Sequence, residues 1–322
     1  MNASLGTVLA VDDDPGALDS LGAALGLLGY QVFQAPDGPS AIRLALERQP
    51  DVVLLDVKMP QMDGYEVCRR LKSNPGTRLI PVVFLTGFGT RQARLDGLEA
   101  GATDFLDKPC DLVELEVRVR NLVGFHRMTL ELDSAEQMVF SIARAVEARD
   151  QGTGDHCGRL AEVGVRLGVR MGLDPDQLTA LRRGAYLHDL GKIGVPDSVL
   201  LKPGPLTEDE WQVMRRHVEI GVEICSPLRS LRPVLPLIRH HHERFDGSGY
   251  LDGLAGTQIP LIARVFQVVD VFDALSSDRC YRAALPVGEA LAVLEHETTR
   301  GFWDPEVVAA FTALVREDQL DG

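Results

Sequence analysis

His188 and Asp189 stand side by side where a helical pattern ends, and a run of three histidines, His240 to His242, precedes a glycine-rich stretch at 244–259. Neutral imidazole and carboxylate are good ligands for divalent transition metals, and one carboxylate can bridge two ions. Seven of the eight histidines fall in the second half of the chain: His156, His188, His217, His240, His241, His242 and His296. A lone histidine is more often structural or solvated, and His126 and His296, the latter between Glu295 and Glu297, are read that way. The triplet alone carries little weight. Joined with His188-Asp189 and His217 it points to a two-metal site, which needs six or more protein ligands.

A second polar set lies in the first half. Asp12, Asp13 and Asp14 follow one short apolar run, Asp56 closes another, Thr86 closes a third, and Lys108 follows a fourth. Converging carboxylates repel one another unless a hard cation sits among them, and Mg²⁺ suits one or two carboxylates plus waters. A hydroxyl and an ammonium facing them would hold phosphoryl oxygens. Any one of these residues could instead cap a helix, as Asp14 before Pro15 is read to do. Four such positions in register are poorly explained that way.

The elements that must position these groups are legible as hydrophobic periods. Strands are expected at Thr7–Val11, Tyr30–Ala35, Val52–Asp56, Pro81–Thr86 and Asp104–Leu106, with helical patterns between them. This alternation means a doubly wound α/β domain, a parallel sheet covered on both faces. Ligands bind beyond the carboxyl ends of such strands, where the polar set sits. From Ser134 onward only helical periods are found, near 135–149, 157–171, 175–189, 207–224, 227–241, 260–277, 286–298 and 304–317. The connections at 191–206 and 244–259 are long and rich in Gly and Pro, and such loops usually carry function.

Between the halves, Phe125, Met128, Leu132, Ala135, Val139, Ile142 and Val146 keep the 3-4 spacing of a coiled-coil seam. Leu112, Leu115, Val119 and Leu122 follow the same rule, but the three-residue step into Phe125 shifts the phase beside Gly124. The stripe reads equally as the first helix of the second domain packing on its own core.

A chain of 322 residues is too long for one ordinary core, so two domains are expected. The hydrophobic content is 45% and the mean hydropathy near zero, as in a globular protein in water. No apolar run approaches the ~20 residues of a spanning helix, and Met1–Ala10 lacks the positive start of a secretory signal, so a cytoplasmic protein with no membrane partner is expected. The net charge is −14, with 17 Asp and Glu against 12 Lys and Arg in residues 1–125 and 30 against 21 in 126–322. Neither half offers the basic stripe of a DNA-binding output. Cys68, Cys110, Cys157, Cys225 and Cys280 form no CxxC pair and are expected as buried thiols.

The segments VLAVDDDP, VVLLDVKMPQMDGYEV, PVVFLTG and GATDFLDKPCD resemble, in order, the signature segments of bacterial response-regulator receiver domains, over about residues 5–122. The resemblance implies a flavodoxin-like, five-stranded fold with Asp56 as phosphoacceptor. It implies Mg²⁺ on Asp12, Asp13 and Asp56 with the Lys58 carbonyl, and phosphoryl contacts from Thr86 and Lys108. Phe105 would be the aromatic switch, Lys108-Pro109 a cis peptide, and the partner a sensor histidine kinase. Gly87 departs from the family, which usually carries a small side chain there.

In the second half, HDLGKIGVPDSVLLKPGPLT, HHERFDGSGY and VVDVFDALSSDRCYR resemble the HD-GYP subgroup of HD-domain phosphohydrolases, over roughly 134–315. The resemblance implies an all-α helical bundle that hydrolyses cyclic di-GMP to the linear dinucleotide pGpG or to GMP. One metal would be held by His156, His188, Asp189 and Asp270. Asp189 would bridge to a second held by His217, His241 and His242. Lys192 would neutralise phosphate charge and His240 would stand aside. Two transition-metal ions such as Fe or Mn are expected, because the Glu that trimetal members place four residues before the first histidine ligand is Gly152 here. The signature GYP reads Gly249-Tyr250-Leu251, which frees a φ angle and restores an N–H without removing a ligand. The organisation expected is a receiver at 1–123, a coiled-coil-like helical connector at 124–150 that makes a homodimer, and a phosphohydrolase domain at 134–322. Two alternatives stand beside this reading: a catalytically silent scaffold binding cyclic di-GMP or a partner, and a hydrolase of another cyclic dinucleotide.

Overall fold

The computed structural model describes residues 4–87, 91–151, 156–277 and 283–320, with the backbone alone at 150, 151 and 318–320. The chain divides into two compact units, one ending at Ala135 and the other beginning at Glu136.

The first unit alternates β1 (Thr7–Val11), α1 (Pro15–Leu27), β2 (Gln31–Ala35), α2 (Gly38–Arg48), β3 (Val52–Asp56), α3 (Gly64–Ser73), β4 (Val82–Thr86), α4 (Arg91–Glu99) and β5 (Asp104–Asp107), and enters α5 (Leu112–Gln151). The five strands pair in parallel in the order β2-β1-β3-β4-β5. Val8 to Val11, Val52 to Leu55 and Val82 to Leu85 are buried on both faces, the near-continuous apolar runs that a helix-covered parallel sheet requires. The order reverses between β1 and β3, so a crevice opens beyond the ends carrying Asp12 and Asp56. Side-chain caps fix the helix starts: Asp14, Asp37 and Asp63 accept from Gly16, Ser40 and Glu66 N–H groups, each cap contributing about 1 kcal/mol. Every expected strand is present, within one residue at each end.

Helix α5 has two kinds of surface. Leu115, Val119 and Val123 are buried with Val8, Leu54 and Leu106 of the sheet. Ala143 and Val146 are buried in the second unit, where Val139 and Ile142 also pack on its core. Between these stretches Phe125, Met128 and Leu132 are more than half exposed. The apolar stripe therefore divides: its two ends are core helix, and its middle presents an unpartnered seam.

The second unit is helical: α6 (His156–Arg170), α7 (Pro175–Leu187), α8 (Asp197–Leu200), α9 (Glu208–Arg215), α10 (His217–Cys225), α11 (Leu235–His240), α12 (Leu261–Ser276), α13 (Val287–Thr299) and α14 (Pro305–Leu320). Two expected helices are broken. The 207–224 segment ends one helix at Arg215 and starts another at His217, and 227–241 begins as a 3-10 turn at Arg229–Val234 that contains Pro233. The 191–206 connection carries short helical turns, a 3-10 turn at Leu190–Gly194 followed by α8. Among the described residues no helix is long and apolar enough to cross a membrane. Cys68, Cys157 and Cys225 are buried and Cys110 is half-buried, while Cys280 lies outside the described residues.

Candidate metal centre

Three of the histidines sit at helix C-termini, and this decides how their rings point. His188 caps α7, His241 caps α11, and His217 follows the end of α9. The last carbonyls of a helix lack partners within it. Each ring directs Nδ1 to such a carbonyl three residues back: His188 to Ala185 at 3.0 Å, His217 to Met214 at 2.8 Å and His241 to Ile238 at 2.8 Å. Nδ1–H donates there, which leaves Nε2 as the free acceptor directed inward. The break at Arg216 is thus part of the site, because a continuous helix would have used the Met214 carbonyl itself.

The inward atoms form two clusters, each within 4.8 Å internally: Asp189 with His217, His241 and His242, and His156 with His188 and Asp270. Asp189 faces both. Its Oδ2 lies 3.2 Å from His188 Nε2, and its Oδ1 lies 3.4 Å from His217 Nε2 and 3.9 Å from His241 Nε2. His156 Nε2 approaches Asp270 Oδ1 at 3.5 Å. His156 Nε2 and Asp189 Oδ1 are buried without a hydrogen-bond partner. Buried polar atoms left unpaired are costly, and divalent cations would satisfy these two with an N/O donor set that suits them. The residues present fit two metal ions. All seven expected ligands are brought together.

Close backbone packing makes this approach feasible. A Cβ at Gly191 would collide with the His217 carbonyl oxygen and lie 2.5 Å from the Gly221 amide. Glycine at 191 lets the Leu190–Gly194 turn press on α10, which places Asp189 against His217. Gly249 is equally constrained, since a Cβ there would overlap the backbone of Glu243 and Arg244. The tight turn lays Tyr250 on His242, with ring centroids 4.8 Å apart and planes 26° apart. Phe266, fully buried, backs His188 at 4.9 Å.

Charge is held unevenly. Burial pushes His217 below the usual histidine range and His241 and His242 well below it, so these rings stay neutral and able to ligate at neutral pH. For His188 burial acts downward, but the Asp189 and Asp270 carboxylates outweigh it and the net shift is upward. Burial disfavours the Asp189 carboxylate, yet the Lys192 ammonium at 2.7 Å and the neighbouring imidazoles hold it well below its usual range. Lys192 therefore places its ammonium directly against the carboxylate that faces both clusters.

Sequence reading missed several supporting residues. Asp273, one turn after Asp270 on α12, receives His156 Nδ1–H at 2.6 Å and is clamped by Arg159 at 2.6 and 3.0 Å. Burial raises the Asp273 pKa, but His156 and Arg159 win and bring it down to about 2. Such a carboxylate fixes the tautomer and orientation of a ligating histidine. Glu243, beside the triplet, accepts the N–H groups of Asp252 and Gly253 at 2.7 and 3.1 Å and ties down the signature loop. His240 stands apart from the seven ligands, near Glu243 and Asp252, and Asp252 is held on both oxygens by Arg239. The i,i+3 spacing of Asp270 and Asp273 was the available signal. Gly152 lies outside the described residues.

In the first unit, Lys108 bonds Asp12 at 2.6 Å and also Asp56. Burial disfavours its charge, but these two carboxylates raise its pKa on balance. Asp56 Oδ2 also accepts the Lys58 N–H at 2.7 Å. Asp13 is exposed, and Asp12, Asp13 and Asp56 are not among the three-residue ligand clusters found in the described residues. The ammonium thus bonds two of the three expected Mg²⁺ ligands. Thr86 and Asp56 line one cleft of about 630 Å³ with Lys58. Phe105 lies half-buried against Phe84, centroids 5.9 Å apart. The Lys108-Pro109 peptide is cis.

A doubly wound domain with an acidic crevice, followed by a helical bundle with paired His/Asp clusters, defines a receiver coupled to an HD-type metal centre. Residues 8–120 match the response regulator receiver domain, and residues 118–307, more than half of the chain, match the HD domain. The chain belongs to the HD-domain family and is a response regulator within it. It is 40% identical over 301 residues to the cyclic di-GMP phosphodiesterase response regulator RpfG of Xanthomonas campestris, covering 87% of this chain and 79% of that one. It is 34% identical over 341 residues to a cyclic di-GMP phosphodiesterase of Thermotoga maritima, covering 97% and 91%. The 3'3'-cGAMP-specific phosphodiesterase 2 of Vibrio cholerae is 39% identical over 176 residues, 52% of this chain and 33% of that one.

Proposed function

We propose that the protein hydrolyses cyclic di-GMP to pGpG or GMP at the His/Asp centre, under control of Asp56 phosphorylation by a sensor histidine kinase. It is a phosphodiesterase and a response regulator. The observation that carries the reading is Asp189, whose two oxygens face two separate ligand clusters. Divalent ions held there supply Lewis acidity toward phosphoryl oxygen and a nucleophilic water at neutral pH. His156, His188 and Asp270 would hold one ion and His217, His241 and His242 the other, with Asp189 facing both. The Nε2 atoms would be the donors, because Nδ1 of His188, His217 and His241 engages a backbone carbonyl and that of His156 engages Asp273. Lys192 stabilises negative charge gathering on the phosphorane-like transition state, and Tyr250 walls the site beside His242. In the receiver, Asp56 accepts the phosphoryl group, Mg²⁺ is held by Asp12, Asp13 and Asp56, and Thr86, Lys108 and Phe105 respond to it. On this reading the receiver is 1–123, the connector 124–150 and the catalytic domain 134–322, working in the cytoplasm.

Chromatography of Mn- or Fe-loaded protein incubated with cyclic di-GMP, cyclic di-AMP and 3'3'-cGAMP tests the substrate. Cyclic di-GMP is consumed fastest. Preference for 3'3'-cGAMP would move the chain to the other activity named among its relatives. No turnover of any member of the panel at full metal loading would support the silent-scaffold reading instead.

Elemental analysis of anaerobically purified protein gives two transition-metal ions per chain. The third group, His240, Glu243 and Asp252, already has Arg239 as its cation and takes no ion. Three ions per chain would contradict this count.

The exposed Phe125, Met128 and Leu132 seam supports a homodimer through the connector, through which phosphorylation reaches the metal centre. Met128→Glu with Leu132→Glu breaks the dimer and uncouples turnover from beryllofluoride. Val139 is unsuited to this test, because it packs on the second unit's core. Light scattering that finds wild type monomeric with and without beryllofluoride, with unchanged turnover, would rule the coupling out.

A further inference from the structure

A cyclic dinucleotide carries two phosphodiesters and two purines, and a two-metal centre engages one of the phosphodiesters. The rest of the ligand must lie on surface outside the metal clusters. Helix α9 supplies a surface of the right chemistry. Its last residue, Arg215, places its guanidinium over the Tyr250 ring, 5.4 Å from the centroid, and Tyr250 in turn stacks on His242. Among the described residues the only acid near that guanidinium is Glu208, at 3.9 Å, and none of its N–H groups makes a hydrogen bond. It is a planar donor fork held in place from behind and open in front, the geometry that takes a phosphate on two donors.

Trp211 precedes Arg215 by four residues and so lies on the same face of α9, one turn toward its N-terminus. The indole is 42% exposed, and its Nε1–H has no partner among the described residues. Helix α9 has no buried residue, so the core does not require this side chain. A candidate ligand histidine, a tyrosine and an arginine thus lie in series, and a tryptophan stands one helical turn before the arginine on the same face of α9. Flat groups in series with an arginine among them are what bind nucleotides by stacking and phosphate contact.

We infer that Arg215 and Trp211 form a subsite for the non-reacting half of the cyclic dinucleotide, the guanidinium on its second phosphate and the indole stacked on its purine. The inference rests on the cyclic dinucleotide reading above. It predicts a binding function for both residues and no part in the chemical step.

The test compares cyclic di-GMP with bis(p-nitrophenyl) phosphate, which has one phosphodiester and no purine. Trp211→Ala and Arg215→Ala each raise KM for cyclic di-GMP about tenfold or more, with kcat and turnover of the small diester retained. Arg215→Lys recovers only part of the loss, because a point charge replaces a fork. An unchanged KM, or equal loss on both substrates, would overturn the subsite. Fluorescence separates this outcome from failure of the substrate reading. The chain has two tryptophans, and Trp303 is 8% exposed in the core, so a purine stacked on Trp211 quenches the emission of that indole alone. Cyclic di-GMP quenches wild type and leaves Trp211→Phe unaffected. Quenching without hydrolysis would keep the subsite and remove the assigned activity. Hydrolysis with neither quenching nor a KM change in the variants would keep the activity and remove the subsite.

Discussion

Asp189→Ala abolishes hydrolysis of cyclic di-GMP, a loss on the order of a thousandfold or more. The carboxylate is the single group shared by both clusters, with Oδ2 toward His188 and Oδ1 toward His217 and His241. Its removal separates the clusters and leaves the Lys192 ammonium without the partner it now holds at 2.7 Å. Asp189→Asn suffers nearly as much, because the amide offers one ligating oxygen where two are needed. The fold survives, since the hydrophobic core is built from Leu187, Leu190, Phe266 and their neighbours and does not include Asp189. Steady-state turnover at measured metal content, beside a circular dichroism melt, checks both halves of the expectation. Wild-type turnover in either variant at equal metal loading would exclude a shared carboxylate.

Gly191→Ala has the second largest effect, and by a different route. The added methyl meets backbone on both sides, the His217 carbonyl and the Gly221 amide, neither of which can rotate away as a side chain can. The Leu190–Gly194 turn must lift from α10 by about an ångström, and a displacement of that size near a reacting centre costs about a hundredfold in rate. Forced overpacking adds about 1–3 kcal/mol of destabilisation. The expected result is weaker metal retention after dialysis, turnover reduced by about a hundredfold, and a melting temperature lower by several degrees. Gly288→Ala is the control, because a methyl there meets nothing within 4 Å. Equal behaviour of the two variants would show that Gly191 is not a packing contact.

The receiver was legible in sequence almost to the residue, because buried parallel strands are short uninterrupted apolar runs and their ends carry the acids. What local spacing does not encode there is the Lys108 ammonium bonded to both Asp12 and Asp56, a contact between residues far apart in sequence. In the second unit the side chains that form the His/Asp clusters were recognisable by type, while the devices that aim them were not. The break between α9 and α10 at Arg216 lies inside an unbroken helical period, and it takes the folded chain to show that it turns His217 onto the Met214 carbonyl. Asp273 and Glu243 act through contacts distant in sequence, to His156 and to the amides at 252 and 253, which periodicity does not encode. The connector stripe was ambiguous for a physical reason: heptad and core-helix patterns are the same pattern, and only packing assigns Val123 and Val146 to cores and Met128 to the surface.

The central claim, that paired His/Asp clusters joined by Asp189 hydrolyse a cyclic dinucleotide with bound divalent metal, is tested most directly by following cyclic di-GMP chromatographically in three samples. These are the protein as purified anaerobically, the same protein stripped with chelator, and the stripped protein reloaded with Mn²⁺ or Fe²⁺. The account predicts conversion to pGpG or GMP in the first, none in the second, and recovery in the third as two ions per chain are restored. Undiminished conversion by the stripped protein, or no conversion after two ions are bound, would contradict it.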